Sequence, residues 1–199
     1  MANEPQGPMS AEEMVALAKK HTVFEWIPQN TADPIPVETA KGVYFYTPDG
    51  KRYIDFNSQL MSVNIGHGDQ RVIDAICAQA QKLQYVNPFA THEPRARLAA
   101  KLAELTPGDL DVFFFTNAGA EANENAIKIA RNVTGRQKIL SRYRSYHGGT
   151  GQVMVATGDP RRWANETGVS GYVRAPDPHK WGRPGPEDTD VALRELEDV

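Results

Sequence analysis

A run of small residues between an apolar segment and a helical pattern is the part of this sequence best suited to chemistry. Residues 111–115 (DVFFF) predict a strand covered on both faces, and residues 121–132 predict a helix that ends at Gly135. In the turn between them, Gly119 and Ala120 carry almost no side chain, so their backbone N–H groups could approach a ligand closely. The positive end of the helix dipole favours a phosphate at such a position.

Composition alone leaves a second interpretation of this turn open. A tight strand-to-helix connection without a ligand would use the same small side chains. The turn is not a Walker loop, because no Gly-Lys-Ser/Thr follows it, and it lacks the G-x-G-x-x-G of dinucleotide-binding proteins.

The elements around the turn predict an α/β layer. Residues 138–141 (KILS) predict a strand, 146–150 a loop, and 171–175 a further strand. Residues 176–186 are rich in proline and glycine and predict a loop, and residues 190–199 predict a helix. Strands that alternate with helices are typical of a parallel sheet.

The first ninety residues predict a different arrangement. Ser10 and Glu13 have the spacing of a capping box that opens a short helix. Three prolines predict an extended course over residues 27–40, and a Pro-Asp-Gly turn joins residues 43–47 to 52–56 in a β-hairpin. Two helices follow, one after Asp69 and one from Thr91. The residues predicted to face inward on these two helices and on the helix at 121–132 are Val72, Ile76, Ala80, Leu83, Leu98, Leu102, Leu105, Ala122, Ala126, Ile129 and Ala130.

Composition excludes several classes of protein. The 199 residues include 22 basic and 25 acidic side chains, which gives no positive field for nucleic acid or an anionic membrane. No apolar run reaches the roughly 18 residues of a membrane span, and the N-terminus lacks the pattern of a signal peptide. A single cysteine, Cys77, cannot form an intrachain disulfide. We therefore expect a cytoplasmic protein with no metal site and no nucleic-acid or membrane partner.

Four segments in order carry a family resemblance. Residues 117–126 (NAGAEANENA) resemble the phosphate cup of class III aminotransferases, which are pyridoxal-phosphate enzymes of fold-type I. Residues 145–150 (SYHGGT) resemble the loop whose aromatic residue lies against the cofactor ring. Upstream, residues 42–56 are similar to the family's hairpin, and residues 64–68 (NIGHG) to its N-x-G-H segment.

The resemblance implies how pyridoxal phosphate would be held. The backbone amides of Gly119 and Ala120 would bind its phosphate, although many relatives have a hydroxyl residue at position 120. Tyr146 would stack on the pyridine ring, with His147 as a further cofactor-binding residue. His147 is not assigned a proton-transfer role.

Four apolar or aromatic residues occupy positions that resemble the family's substrate pocket. They are Trp26, Leu60, Met61 and Phe89, the last of which could reach the partner subunit's site in a homodimer. Residues of these types are more often found in a protein core. Gln59 stands where relatives often have glycine, which changes the expected shape of the pocket.

Two parts of the chemistry are expected beyond residue 199. None of the nine lysines matches the family's Schiff-base motif, and no segment matches the one that supplies the aspartate to the pyridine nitrogen. We therefore expect an incomplete three-layer α/β/α large domain, in which residues 1–65 belong to the small domain and 66–199 form the first half of the cofactor domain. By itself the chain should be inactive.

The parent enzyme would transfer an amino group from an amine or amino acid to a 2-oxo acid or aldehyde, and would be a homodimer. Two alternatives stay open. One is an aminomutase or racemase-like isomerase of the same fold. The other is a short non-catalytic module that binds a phosphate compound or a partner subunit.

Overall fold

A computed structural model describes residues 7–165 and 168–175, together with 190 and 194, and the chain divides into two compact units. Unit 1 is Met1–Glu93 and unit 2 is Pro94–Val199. The loop predicted at 176–186 and all but two residues of the helix predicted at 190–199 lie outside the described residues. Within the described part, no helix combines the length and the apolar character needed to cross a membrane.

Unit 1 begins with helix α1 (Ala11–His21), whose first turn forms as predicted. Ser10 is the N-cap, and its Oγ accepts a hydrogen bond from the Glu13 backbone N–H at 3.1 Å. The proline-containing stretch that follows is mostly extended, with a short 3-10 helix at Gln29–Thr31.

The predicted hairpin is part of a three-stranded antiparallel sheet. Strands β2 (Tyr44–Tyr46) and β3 (Arg52–Ile54) form the hairpin, and β1 (Thr39–Lys41) pairs with β2 on its other edge. The sequence did not indicate β1, because Thr-Ala-Lys contains a single β-branched residue and no aromatic one. Phe45 is buried, and its ring stacks on that of Tyr53 with centroids 5.1 Å apart.

A four-residue turn, α2 (Ser58–Met61), comes after the sheet and precedes helix α3 (Gln70–Lys82). Asp69 caps α3, its side chain accepting the Arg71 backbone N–H, as expected for a helix that starts after this residue. Helix α4 (Glu93–Leu105) begins at the boundary between the units.

Unit 2 contains a parallel β–α–β arrangement. Helix α5 (Gly119–Thr134) ends at Gly135, whose φ of +69° closes the last turn as predicted. Strand β4 (Ile139–Arg142) then pairs in parallel with β5 (Tyr172–Ala175), and helix α6 (Gly151–Ala156) lies in the connection between them. The core of the unit contains Val153, Val155 and Ala175.

The prediction of a strand at 111–115 is wrong for the described structure. These residues belong to no helix or strand, and the described strands pair only within the β1–β2–β3 and β4–β5 sheets. Val112 and Phe114 are 91% and 69% exposed. An apolar run indicates a segment that buries its side chains, but a strand also requires a hydrogen-bonded partner.

The predicted inward faces of three helices are also wrong within the described units. Ile76, Leu98, Leu105 and Ile129 are at least half exposed, and Ala122, Ala126 and Ala130 are exposed as well. On α5 the residue that is buried is Ile127 instead. The 3.6-residue period identifies an apolar face, but whether that face is covered depends on what packs against it.

Candidate active site

The N-terminus of α5 lacks a side-chain cap. The N-cap residue is Ala118, which has no side-chain oxygen to accept from the first-turn N–H groups, and none of the described side chains replaces it. A Cβ built on Gly119 would meet nothing within 4 Å. Within the described residues, the first N–H groups of this sixteen-residue helix therefore have no side-chain acceptor, which is a physical requirement for an anion site.

Glu121 shapes the turn that leads into this helix. Its Oε2 accepts hydrogen bonds from the backbone N–H and the side-chain Nδ2 of Asn117, both at 2.9 Å. These two bonds lower the pKa of the Glu121 carboxyl below its usual range. Its negative charge is thus held against Asn117 at neutral pH.

The loop at 146–150 packs directly on the start of α5. Gly148 has a φ of +139°, and a Cβ there would lie 2.6 Å from the Ala120 Cβ and 2.8 Å from the Val153 Cγ2. Only glycine fits so close to these neighbours. The structure therefore brings the loop that bears Tyr146 and His147 to the helix terminus formed by Gly119 and Ala120. These are the four residues predicted to hold a cofactor.

Two side chains of α5 hold this loop, and the sequence reasoning assigned neither of them a role. Asn123 Nδ2 donates to the His147 carbonyl at 2.9 Å. Glu124 Oε1 accepts from Thr150 Oγ1 at 2.8 Å and from the Gln152 backbone N–H at 2.9 Å, so it caps α6. Both residues lie inside the 117–126 motif, but asparagine and glutamate are residue types that do not distinguish this role from that of a solvent-facing helix residue.

His147 is fixed through its backbone. Its N–H donates to Thr157 Oγ1 at 3.1 Å, and Thr157 is fully buried. Tyr146 is 42% exposed, and the Arg161 guanidinium lies 4.3 Å from the centroid of its ring.

The four residues predicted to contact substrate all belong to unit 1 and are exposed there. The exposed fractions of Trp26, Leu60, Met61 and Phe89 are 59%, 55%, 71% and 100%. None of them is a core residue of the described unit.

Leu60 and Met61 lie in a left-handed turn. Ser58, Gln59, Leu60 and Met61 have φ values between +49° and +61°, and Trp26 has a φ of +66°. A non-glycine residue in this region costs about 1–2 kcal/mol. Strained backbone of this kind concentrates at functional sites. No glycine or asparagine among residues 58–61 signals this conformation in the sequence.

Asp55 forms a hydrogen bond to the left-handed turn. Its carboxylate accepts the Gln59 backbone N–H at 3.0 Å and lies 2.7 Å from His67 Nε2. Burial would raise the pKa of Asp55, but the hydrogen bonds from Gln59 and His67 outweigh it, so the pKa lies below its ordinary value. A groove of about 590 Å³ adjoins the turn, with Phe56, Gln59 and Leu60 among its lining residues.

The fold and the site together define a class. A β4–α6–β5 unit whose loop packs on an uncapped helix N-terminus is typical of α/β proteins that bind phosphate-bearing cofactors. The chain belongs to the class III aminotransferase family, whose model (Aminotransferase class-III) matches residues 27–198.

Individual relatives agree with this assignment. The chain is 34% identical to the uncharacterized aminotransferase YhxA of Bacillus subtilis (strain 168), over 98% of this chain and 46% of that protein. It is 36% identical to isoleucine 2-epimerase of Lentilactobacillus buchneri, over 79% of this chain and 36% of that protein.

A solved structure gives the same result for the fold. Taurine:2-oxoglutarate aminotransferase from Bifidobacterium kashiwanohense, in complex with PLP and glutamate, is 38% identical and matches with a TM-score of 0.89. The match covers 97% of this chain and 45% of that one. The predicted family and the fold-type I class are confirmed, and the chain spans less than half the length of these three relatives.

Proposed function

We propose that the complete protein uses pyridoxal phosphate to transfer an amino group from an amine or amino acid to a 2-oxo acid or aldehyde. One observation carries this proposal: the uncapped N-terminus of α5 lies against the loop that bears Tyr146, in a chain of the class III aminotransferase family. The family implies dependence on pyridoxal phosphate, and the residues present fit that group.

The cofactor would be held mainly by backbone. The N–H groups of Gly119 and Ala120 would donate to its phosphate, and the open space at Gly119 supports this role. Tyr146 would stack on the pyridine ring, and His147 would border it. When bound, the cofactor supplies an electron sink for the substrate's reacting carbon. Asn123 and Glu124 would keep the aromatic loop in place.

The substrate would contact Trp26, Leu60, Met61 and Phe89. Their exposure supports this assignment, because apolar side chains of this size are available for contact only when they are outside the core. The left-handed backbone of Trp26, Leu60 and Met61 supports it further.

The remaining features of the proposal concern the complete protein. They are the Schiff-base lysine and the pyridine-nitrogen aspartate beyond residue 199, the homodimer, the cytoplasmic location, and the division into a small-domain segment (1–65) and a cofactor-domain segment (66–199). All of them stay predictions.

An isomerase of the same fold is the second candidate, and the match to an isoleucine 2-epimerase favours keeping it. The two reactions differ in whether an amino acceptor, which is a 2-oxo acid or aldehyde, is consumed. A transaminase requires one for each turnover, whereas an epimerase inverts a chiral amino acid without net transfer of nitrogen.

The test uses the complete protein loaded with pyridoxal phosphate. An amine or amino acid donor, added without an acceptor, should convert the visible absorption of the bound cofactor to that of its amine form, and a 2-oxo acid should restore it. Inversion of a single enantiomer without keto-acid formation would support the isomerase instead. Absence of any spectral response across a panel of donors would refute both candidates.

A further inference from the structure

Arg161 lies against the aromatic residue of the candidate cofactor site, although the proposed function gives it no role. The Cζ of its guanidinium is 4.3 Å from the centroid of the Tyr146 ring. This distance is within the roughly 6 Å over which a cation is attracted to the face of an aromatic ring. One face of Tyr146 is therefore occupied by a positive charge.

The guanidinium is fixed by Asp159. Arg161 Nε lies 2.7 Å from Asp159 Oδ1, and Nη2 lies 3.1 Å from Oδ2, which is a two-bond ion pair. The same carboxylate accepts the Arg161 backbone N–H at 2.9 Å and so caps the 3-10 helix Pro160–Arg162. Hydrogen bonds from Arg161 lower the pKa of Asp159, so the carboxylate keeps its charge.

The segment that carries Arg161 is attached to the segment that carries Tyr146. The Gly158 N–H donates to the Ser145 carbonyl at 2.9 Å, and the Arg144 N–H donates to the Gly158 carbonyl at 3.3 Å. A Cβ at Gly158 would lie 2.7 Å from the Tyr143 Cα, so only glycine permits this approach. The ion pair and the aromatic ring therefore share one backbone support.

We propose that Arg161, held by Asp159, is a positioning residue that fixes the orientation in which the Tyr146 ring would meet the pyridine ring of the cofactor. This proposal rests on the proposed function, in which Tyr146 stacks on that ring. The guanidinium need not touch the cofactor. It acts by restricting the side-chain torsion angles that Tyr146 can adopt.

The experiment measures equilibrium binding of pyridoxal phosphate to the complete protein, together with the visible circular dichroism of the bound cofactor. Arg161→Gln should weaken binding about two- to fivefold, the range expected for an exposed cation–aromatic contact. It should also reduce the dichroic signal, because the stacked ring is less uniformly oriented. Arg161→Lys should retain most of both, since it keeps the cation.

Two further variants separate the ion pair from other effects. Asp159→Asn keeps an N-cap of similar strength but removes the charge that holds Arg161, so it should shift both readouts in the same direction as Arg161→Gln. Arg136→Gln removes an exposed arginine of the α5–β4 connection and should change neither readout. Thermal unfolding of each variant checks that the fold is intact.

A double-mutant cycle decides whether Arg161 acts through Tyr146. In the Tyr146→Leu background, Arg161→Gln should have no effect on cofactor affinity. An equal effect in both backgrounds would overturn the proposal, and so would a change in thermal stability without any change in affinity or dichroism. If Gly119→Val leaves cofactor affinity intact, the proposed function fails. If Gly119→Val weakens binding and Arg161→Gln does not, only the positioning role fails.

Discussion

Replacing Gly119 by valine tests the proposed phosphate site at the N-terminus of α5 most directly. The fold should accept this change. The φ of Gly119 lies outside the left-handed region that favours glycine, and a Cβ there meets nothing within 4 Å. Valine is also a somewhat better helix residue than glycine, by a few tenths of a kcal/mol. We expect a phosphate to approach the first N–H groups through the space that the isopropyl group would fill.

The magnitude follows from the contacts that would be lost. A hydrogen bond from a backbone N–H to a charged oxygen contributes about 1.5–3 kcal/mol. Loss of one such bond weakens pyridoxal phosphate binding about 10- to 150-fold. The effect should appear in the affinity for the cofactor and not in the stability of the protein without it.

The assay is equilibrium titration of the complete protein with pyridoxal phosphate, followed by absorption, with thermal unfolding of the cofactor-free protein measured alongside. Gly151→Val is the matched control. Gly151 also begins a helix, and a Cβ there also meets nothing within 4 Å, but Glu124 already caps that helix. A folded Gly119→Val protein that binds the cofactor as tightly as the Gly151→Val control would refute the phosphate-site assignment.

Three further predictions concern the packing around the two candidate sites. Gly148→Ala should destabilise the protein by about 1–3 kcal/mol, because its Cβ collides with that of Ala120; chemical denaturation should show a lowered midpoint, and an unchanged midpoint would mean that the loop does not pack on α5 as described. Gln59→Gly should stabilise unit 1 by about 0.5–1 kcal/mol, since relief of left-handed strain exceeds the entropic cost of glycine; a loss of stability in the same assay would contradict the strained turn. The lowered pKa of Asp55 means that its contribution is fully present above its unfolded pKa, near 3.9, and is lost as pH falls through the folded value. Denaturation midpoints between pH 5 and pH 3 should therefore fall more steeply for the native protein than for Asp55→Asn, and parallel curves would show that Asp55 does not contribute.

The contact between the 117–126 motif and the Tyr146 loop could be predicted, because both segments carry the residue pattern of one family. Gly148 illustrates why such a pattern also predicts geometry. A Cβ at Gly148 would lie 2.6 Å from the Ala120 Cβ, so the close packing of the loop on α5 requires a glycine that is visible in the sequence. The helix ends at Ser10, Asp69 and Gly135 were predictable for a similar reason, since each needs a particular side chain or φ.

Other features could not be predicted, because no residue type is specific to them. The left-handed turn at 58–61 contains Ser, Gln, Leu and Met, all of which favour other conformations. It is held by long-range contacts such as the pair between Asp55 and His67, which local patterns do not contain. The exposure of the apolar faces of α3, α4 and α5 could not be predicted, because periodicity shows which residues share a face but not what covers that face.

The polar side chains at the start of α5 are engaged in ways that would leave the proposed anion site to backbone N–H groups. Glu121 is turned back to Asn117, Asn123 holds the carbonyl of His147, and Glu124 caps α6. Each of these groups satisfies backbone elsewhere, so the N–H groups of Gly119 and Ala120 have no competitor among them. A hydroxyl at position 120 would therefore add to a site that backbone N–H groups would form by themselves, whereas the Ala120 Cβ packs against Gly148. It follows that Ala120→Ser should change cofactor affinity less than Gly119→Val does, because it leaves the approach to the backbone open.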